Sequence, residues 1–224
     1  MLKEIRHRLV VSCQALPDEP LHSSFIMGRM ALAAKQGGAA GIRAQGKDDI
    51  LEIKRVVDLP VIGIVKRNYP DSEIYITPTR KEIEELLETG CNMIALDATG
   101  RKRPGNEKLE DLVEFIHAHG ISAMADCSTF EECMHAEEIG FDCVSTTLCG
   151  YTPYSEQYEG PSFGLIRRLA EFCHVPVLAE GKINTPEDLA AVFEAGAYSA
   201  VVGGAITRPK QITERFVKAI EGLD

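Results

Sequence analysis

The chain has 224 residues, of which 45% are hydrophobic and 26% are charged, and its formal net charge is −10. These proportions are ordinary for a globular protein, and the length suits one (β/α)8 barrel better than two separate domains. An acidic surface repels phosphate backbones, so nucleic acid is not an expected partner.

The seven cysteines are odd in number and form neither a CxxC pair nor a Cys/His ligand spacing. Most lie in apolar runs, where a free thiol behaves as a small hydrophobe. This usage predicts a reducing compartment, with the cytoplasm as the default location. The N-terminal segment carries charges up to Arg8 before a short apolar run, which predicts neither a signal peptide nor a membrane span.

Short apolar, β-branched runs alternate with longer amphipathic stretches along the whole chain. Start and stop signals delimit several helices; Thr185 and Pro186 begin one, and Gly196 follows its end. The predicted strands are 9–14, 39–45, 60–67, 93–99, 122–128, 143–148, 176–182 and 200–207. The predicted helices are roughly 22–37, 47–57, 80–89, 106–118, 129–138, 162–173, 185–195 and 210–221.

Strands this apolar, separated by helices, predict a parallel sheet that is buried on both faces. Eight such repeats close into a barrel more readily than they form an open sheet. We therefore predict an α/β fold, a single (β/α)8 TIM barrel spanning 1–224. The alternative is a doubly wound sheet, which normally has a glycine-rich turn after its first strand. Here the first strand runs into CQALPDEP, which contains no GxG.

Two connections after strands are longer than the others. They are 68–79, after the third strand, and 149–162, after the sixth, and both are rich in Tyr, Pro and Ser. Loops after barrel strands lie on the active face, so these segments are candidate lids or substrate walls. The alternative is that they are surface loops that tolerate insertions.

Polar side chains end several of the predicted strands. Alternation puts Lys66 on the same side of the third strand as Ile62 and Ile64, and it emerges at the barrel mouth if that side faces the axis. The same count places five further polar residues at or near the mouth, namely Gln14, Arg43, Asp97, Asp126 and Glu180. Buried charges are costly unless they are paired or used, so their convergence favours a functional site over simple packing.

Glycine-bearing turns follow the seventh and eighth strands, in AEGKIN (179–184) and VGGAITRP (202–209). Barrels frequently bind phosphate at this place through backbone N–H groups. Gly181, Gly203 and Gly204 let the backbone approach a phosphate closely, and Arg208 could add a charge-assisted contact. A plain tight turn is the alternative.

The positions of the six histidines argue against a metal site. A metal-dependent barrel enzyme needs histidines and carboxylates together at the mouth, and here no histidine ends a strand. Neither a metal nor another cofactor is therefore expected.

The chain resembles the bacterial N-acetylmannosamine-6-phosphate 2-epimerases over essentially its whole length. The segments that carry the resemblance are SCQALPDEPLH (12–22), GIRA (41–44), GIVKRNYPDSEIYITPT (63–79), LDATGRKRP (96–104), ADCST (125–129), GYTPYS (150–155), LAEGKINTPED (178–188) and VVGGAITRP (201–209). The resemblance implies a TIM barrel that interconverts N-acetylmannosamine 6-phosphate and N-acetylglucosamine 6-phosphate in sialic acid catabolism.

The resemblance also implies roles for individual residues. Lys66 matches the family's acid/base lysine and Glu180 its second catalytic group. Gln14, Arg43 and Asp126 match polar contacts to the substrate, and Gly181, Lys182, Gly203, Gly204 and Arg208 match the phosphate end. Asp97, Arg101 and Arg103 either touch the substrate or orient other side chains.

Inversion at C2 of an N-acyl hexosamine requires removal of a proton bound to carbon, after the ring has opened to a free aldehyde. Glu180 is the candidate for ring opening and Lys66 for the C2 proton. Burial and Arg43 should lower the pKa of Lys66, whereas Glu180 should raise it, so the sequence leaves the net direction open. Return of the proton to the opposite face requires either two groups or one base and a rotating intermediate.

Three other functions remain open at the sequence level. A Schiff-base aldolase would use Lys66 as a nucleophile. A barrel acting on a ribosyl phosphate would explain the glycine turns, and a sugar-phosphate sensor would bind without turnover. Barrels of this size commonly dimerise, and Leu223, after the last helix, is a candidate contact in a homodimer.

Overall fold

The computed structural model describes residues 1–157 and 159–222. Eight parallel strands, β1 to β8, pair in sequence order, and β8 pairs back with β1 to close a barrel. Their bounds are β1 Leu9–Cys13, β2 Gly41–Gln45, β3 Val61–Ile64, β4 Met93–Asp97, β5 Ser122–Asp126, β6 Cys143–Ser145, β7 Val177–Glu180 and β8 Ser199–Val202. The predicted (β/α)8 barrel is confirmed. Seven strands end earlier than predicted, because the last residues of those runs leave the hydrogen-bonded ladder at the mouth, whereas β2 ends at Gln45 as predicted.

Helices alternate with the strands around the barrel. Their bounds are α1 Leu2–Ile5, α2 Ser24–Gln36, α3 Lys47–Val56, α4 Arg80–Leu87, α5 Leu109–Ala118, α6 Phe130–Glu138, α7 Phe163–Phe172, α8 Pro186–Glu194, α9 Gly204–Thr207 and α10 Pro209–Ile220, with a short 3-10 turn at Pro104–Asn106. Thr79, Thr129 and Thr185 begin α4, α6 and α8 with capping boxes, in which a carboxylate three residues on accepts from the cap's backbone N–H.

The prediction of a strand over 200–207 was wrong in its second half, because 204–207 form α9. The backbone N–H of Thr207 donates to the carbonyl of Gly203, which begins a helical turn directly after β8. The sequence also did not predict α1. Its buried Ile5 packs on the inward-facing residues at the bottom of the barrel.

Alternation along the strands divides the apolar residues into two layers. Ile62 and Ile64 face the barrel axis together with Met93, Met124 and Leu178, and all of them are buried. The alternate residues, such as Val61 and Ile94, pack outward against the helices. This is the orientation that places the polar residue at the end of each inward row at the mouth.

The long segment after β3 folds back across the mouth instead of extending into solvent. The Arg67 backbone N–H donates to the Tyr75 carbonyl at 2.9 Å, and that of Thr77 donates to the Val65 carbonyl at 2.8 Å. Ile76 joins the interior apolar layer, and Tyr75 packs against that layer. The segment is therefore a wall of the mouth, as predicted for one of the two long loops.

The described residues contain no helix that is long and apolar enough to cross a membrane. Leu223 lies outside the described residues.

Candidate active site

A cavity of about 580 Å³ opens at the carboxyl ends of the strands. Asp97 and Asp126 are absent from its lining, whereas the other strand-end and turn residues predicted from the sequence line it, namely Gln14, Arg43, Lys66, Glu180, Gly181, Lys182, Gly203, Gly204 and Arg208. The rows of inward-facing side chains that end in Lys66 and Glu180 meet there, because parallel strands of a closed barrel end at the same rim.

Arg43 lies at the centre of a buried ion-pair network. Its Nη1 donates to Asp126 Oδ1 at 2.9 Å and to Glu180 Oε2 at 2.8 Å, and its Nη2 donates to Asp126 Oδ2 at 2.5 Å. Burial by itself lowers the pKa of the Arg43 guanidinium, but Asp126 and Glu180 raise it on balance, so this cation is permanent. These hydrogen bonds hold the guanidinium group of Arg43 in one orientation at the cavity.

Asp126 is fully buried and lies behind Arg43, outside the lining found among the described residues. The sequence placed Asp126 among the substrate contacts, whereas its contacts in the structure are to Arg43 and Thr147. A carboxylate in this place holds the guanidinium in one orientation through two parallel hydrogen bonds.

The side chain of Glu180 is the carboxyl of the network that reaches the cavity. Burial raises the pKa of Glu180 to about 7, and Asp126 adds to the rise, while Arg43 and Lys66 oppose it. Its main chain is held by Thr146, whose Oγ1 donates to the Glu180 carbonyl at 2.9 Å. A carboxyl with this pKa can both donate and accept a proton near neutral pH.

Lys66 follows β3 and faces the same cavity. Burial lowers the pKa of Lys66 to about 8, helped by Arg43 and Arg208, while Glu180 and Glu19 oppose the shift. The sequence left this direction open, because it depends on how deeply the side chain is buried. A substantial fraction of Lys66 is therefore neutral near pH 8 and available as a base.

Several polar residues of the site had not been singled out from the sequence. Thr147 lines the cavity and contacts both Glu180 and Asp126, while Ser145 and Tyr75 lie beside this network. Thr147 has a sequence signal that could have identified it. It lies two residues beyond Ser145, on the inward-facing row of β6.

The glycine turns after β7 and β8 line the same cavity. Gly181 has a φ of 101° and Lys182 a φ of 56°, so this turn uses the left-handed region that favours glycine. A Cβ on Gly203 would lie 3.3 Å from the Cβ of Ser12, which shows how closely β8 approaches β1 there.

Arg208 also lines the cavity and pairs with Glu19 from the segment after β1. Arg208 Nε lies 3.2 Å from Glu19 Oε1, and both side chains are about one quarter exposed. The cation predicted for the phosphate end is thus present and already has a carboxylate partner.

Asp97, Arg101 and Arg103 form a second polar cluster that supports the wall after β3. Arg101 Nη2 donates to Asp97 Oδ2 at 2.6 Å, and Arg103 donates to the main-chain carbonyls of Asp97 and Pro78. Burial raises the pKa of the Asp97 carboxyl. Of the two roles considered from sequence, these contacts favour orientation of other groups over contact with a substrate.

Two buried polar atoms of the site have no hydrogen-bond partner among the described residues. They are Gln14 Oε1 and Arg43 Nε. Gln14 Nε2 donates to Ser12 Oγ at 2.7 Å, so the amide is held on one side, and Gln14 itself lines the cavity. Buried polar groups are normally satisfied, so these atoms are candidates for pairing with a polar ligand.

Within the described residues, no group of three or more His, Cys, Asp and Glu side chains is placed to hold a metal ion. The site is instead composed of Lys, Arg, Glu, amide and hydroxyl groups.

The family model "Putative N-acetylmannosamine-6-phosphate epimerase" matches residues 27–222. Two relatives named "Putative N-acetylmannosamine-6-phosphate 2-epimerase" align over 99% of this chain. One from Clostridioides difficile is 64% identical and covered over 99% of its length; one from Clostridium perfringens is 66% identical and covered completely. This chain belongs to the N-acetylmannosamine-6-phosphate 2-epimerase family.

Solved structures agree with this family membership. The N-acetylmannosamine-6-phosphate 2-epimerase from Clostridium perfringens matches 98% of this chain and 96% of its own, with a TM-score of 0.97 and 65% identity. A thiamine phosphate pyrophosphorylase from Pyrococcus furiosus matches with a TM-score of 0.63 at 18% identity, which shows the barrel fold alone. The epimerase family is thus distinguished from other barrels by identity along the whole chain.

Proposed function

We propose that this member of the epimerase family interconverts N-acetylmannosamine 6-phosphate and N-acetylglucosamine 6-phosphate. The observation that carries the proposal is the shared cavity, which Lys66 and Glu180 line together with the turns at Gly181 and Gly203. A base and an acid in one cavity can move the protons of a carbon acid, and backbone N–H groups of the turns can bind its phosphate. The relatives at 64% and 66% identity carry the name of this activity.

The chemistry begins with ring opening, because only the free C1 aldehyde makes the C2 proton acidic. Glu180 moves the proton between the sugar oxygens of the ring-opening step, which its pKa of about 7 allows. Neutral Lys66 then takes the C2 proton and returns it. The aldehyde oxygen gains negative charge as the C2 proton leaves, and the fixed cation of Arg43 stabilises that charge.

Gln14, Arg43 and Asp126 orient the substrate and the catalytic carboxyl. Gln14 lines the cavity, and its unpaired Oε1 accepts from a sugar hydroxyl or from the N-acetyl amide. Asp126 acts through Arg43, because their bidentate ion pair is fully buried. The phosphate is held by Gly181, Lys182, Gly203, Gly204 and Arg208, which line the same cavity and offer it backbone N–H groups and two cations.

The test is incubation with N-acetylmannosamine 6-phosphate in D₂O, with a chelator present, while the C2 proton is followed by NMR. We expect the gluco epimer to accumulate with deuterium at C2, without any added metal. The Lys66→Ala variant should show neither exchange nor epimer, whereas Lys54→Ala, on the exposed side of α3, is the matched control. No C2 exchange by the unmodified protein would contradict the proposal, and a borohydride-trapped adduct on Lys66 would favour the aldolase.

We further propose that the protein acts in the cytoplasm as a homodimer without nucleic acid. All seven cysteines are free in the structure, which suits a reducing compartment, and the net charge of −10 disfavours nucleic acid. Support for the dimer comes from α10, which has no buried residue and exposes 75% of Phe216 and 65% of Ile220. A second copy is the partner that covers this apolar face.

A further inference from the structure

Thr147 contacts the two carboxyl groups of the site at the same time. Its Oγ1 lies 2.8 Å from Asp126 Oδ1 and 3.0 Å from Glu180 Oε2. These are the same two oxygens to which Arg43 Nη1 donates, at 2.9 Å and 2.8 Å. Thr147 and Arg43 therefore bridge the carboxyl pair from two directions, one as a neutral hydroxyl and the other as a cation.

The number of hydrogens available makes these contacts depend on the protonation of Glu180. A threonine hydroxyl has one hydrogen and two acceptor lone pairs, whereas an ionised carboxylate only accepts. Ser145 Oγ is also 2.7 Å from Thr147 Oγ1 and can donate to it. The single Thr147 hydrogen can then be donated to Asp126 or to Glu180, but not to both. The remaining contact becomes a hydrogen bond only if the carboxyl group on that side carries a proton of its own.

The missing proton is the one that Glu180 carries as an acid. When Glu180 is ionised, the Thr147 hydroxyl donates to Oε2. When Glu180 is protonated, the hydroxyl rotates to donate to Asp126 Oδ1, and Thr147 Oγ1 accepts from the Glu180 acid. Asp126 keeps its bidentate ion pair with Arg43 in both states. The hydroxyl thus has a good partner before and after proton transfer, and Glu180 Oε2 stays in place.

We propose that Thr147 is a positioning residue for Glu180, holding Oε2 at the cavity in both protonation states by reversing the direction of one hydrogen bond. The inference rests on the proposed function of Glu180 as the group that gains and loses a proton. Thr147 also reaches the cavity itself, but its contacts in the structure are to the carboxyl pair and to Ser145.

Other groups also act on Glu180 and have to be held constant in a test. The charged and titratable groups that face it or its partners are Arg43 on β2, Lys66 after β3, Tyr75 in the segment after β3 and Asp126 on β5. Thr146 supplies a matched control. Its hydroxyl contacts the main chain of Glu180, and it is the immediate neighbour of Thr147.

The experiment titrates Glu180 in the unliganded protein by NMR with ¹³C-labelled glutamate, using Glu180→Gln to assign the resonance. Thr147→Val keeps the shape but removes both the donor and the acceptor. Each protonation state of Glu180 has one Thr147 hydrogen bond to a carboxylate, and the protonated state has a second bond from the Glu180 acid to Thr147. Loss of the hydroxyl therefore costs the protonated state more, and the pKa of Glu180 should fall by about one unit. Thr147→Ser should restore the original titration, and Thr146→Val should leave it within about 0.3 units.

An unshifted or raised pKa of Glu180 in Thr147→Val would overturn the inference, and so would a Thr147→Ser titration that moves as far as that of Thr147→Val. Thr147→Ala carries the same predicted direction if the valine variant does not fold. The corresponding limb of the kcat/KM profile should move by the same amount, which a purely structural role would not cause. Since the titration uses no substrate, failure of the epimerase assay and failure of this inference are separate results.

Discussion

Lys66 and Glu180 face one cavity with pKa values displaced toward each other, to about 8 and about 7. Both shifts have burial as their largest cause, since burial disfavours the charged form of either group. Below pH 7 Lys66 is protonated and cannot act as a base. Above pH 8 Glu180 is ionised and cannot donate a proton.

The pH dependence of kcat/KM should therefore be bell-shaped, with its maximum between pH 7 and 8. The apparent pKa values of its two limbs describe the coupled titration of Lys66 and Glu180 together. Initial rates measured from about pH 5.5 to 9.5 would check this. The Glu180→Gln variant should lose one limb along with most of its activity. A profile that rises through the whole range, as for a lysine near pKa 10.4, would contradict the assignment of Lys66.

Glu19 is a second residue whose contact has a measurable consequence. Its carboxylate pairs with Arg208 at the end of the cavity where we propose the phosphate binds. A phosphate must share or displace that carboxylate, so Glu19→Gln should strengthen inhibition by inorganic phosphate. Partly exposed ion pairs contribute about 0.2–1 kcal/mol, which corresponds to a decrease of up to about fivefold in the inhibition constant.

Competition by inorganic phosphate against the sugar phosphate gives that inhibition constant directly. Asp58, which pairs with Lys35 at the surface, offers a control in Asp58→Asn. Weaker inhibition in Glu19→Gln would show that Glu19 orients Arg208 and does not compete for it.

At the scale of elements, Glu132 links three of the segments that follow barrel strands. Its Oε1 accepts from the Gly100 backbone N–H at 2.9 Å and from the Tyr154 hydroxyl at 2.6 Å, while its Oε2 accepts from Ser128. The Thr152 hydroxyl adds a bond of 3.1 Å to Ser128 Oγ. The described part of the segment after β6 is thus fastened at the rim of the mouth.

Tyr154→Phe removes the hydrogen bond to Glu132 and keeps the aromatic ring. Loss of a single hydrogen bond of about 1 kcal/mol should raise KM by about fivefold and leave kcat within about twofold. Steady-state kinetics and hydrogen exchange of 149–157 would measure both effects. Tyr198→Phe, which removes a bond to the Leu2 carbonyl at the far end of the barrel, is the matched control. An equal rise of KM in both variants would show that the loop contact is not the cause.

At the scale of the whole molecule, α10 is the element that the barrel does not bury. Phe216 and Ile220 lie one turn apart on the same face, which is how an amphipathic helix presents an apolar surface to a partner. Phe216→Glu should shift a homodimer toward monomer in sedimentation at micromolar concentration, because it places a charge in the apolar contact. Lys210→Ala, near the start of the same helix, should not.

A monomeric unmodified protein at that concentration would contradict the homodimer. A variant that stays dimeric with Phe216→Glu would place the contact on another surface.

The sequence by itself determined the eightfold repeat, the barrel and the set of inward rows that end in Lys66 and Glu180, because alternation and the position of a strand end are local properties. The tertiary structure decided how those ends meet. Asp126 lies behind Arg43 and Thr147 bridges the carboxyl pair, and both contacts join residues that are far apart in the chain. The helical turn at 204–207 and the direction of the Lys66 pKa likewise depend on packing and burial, which sequence periodicity does not encode.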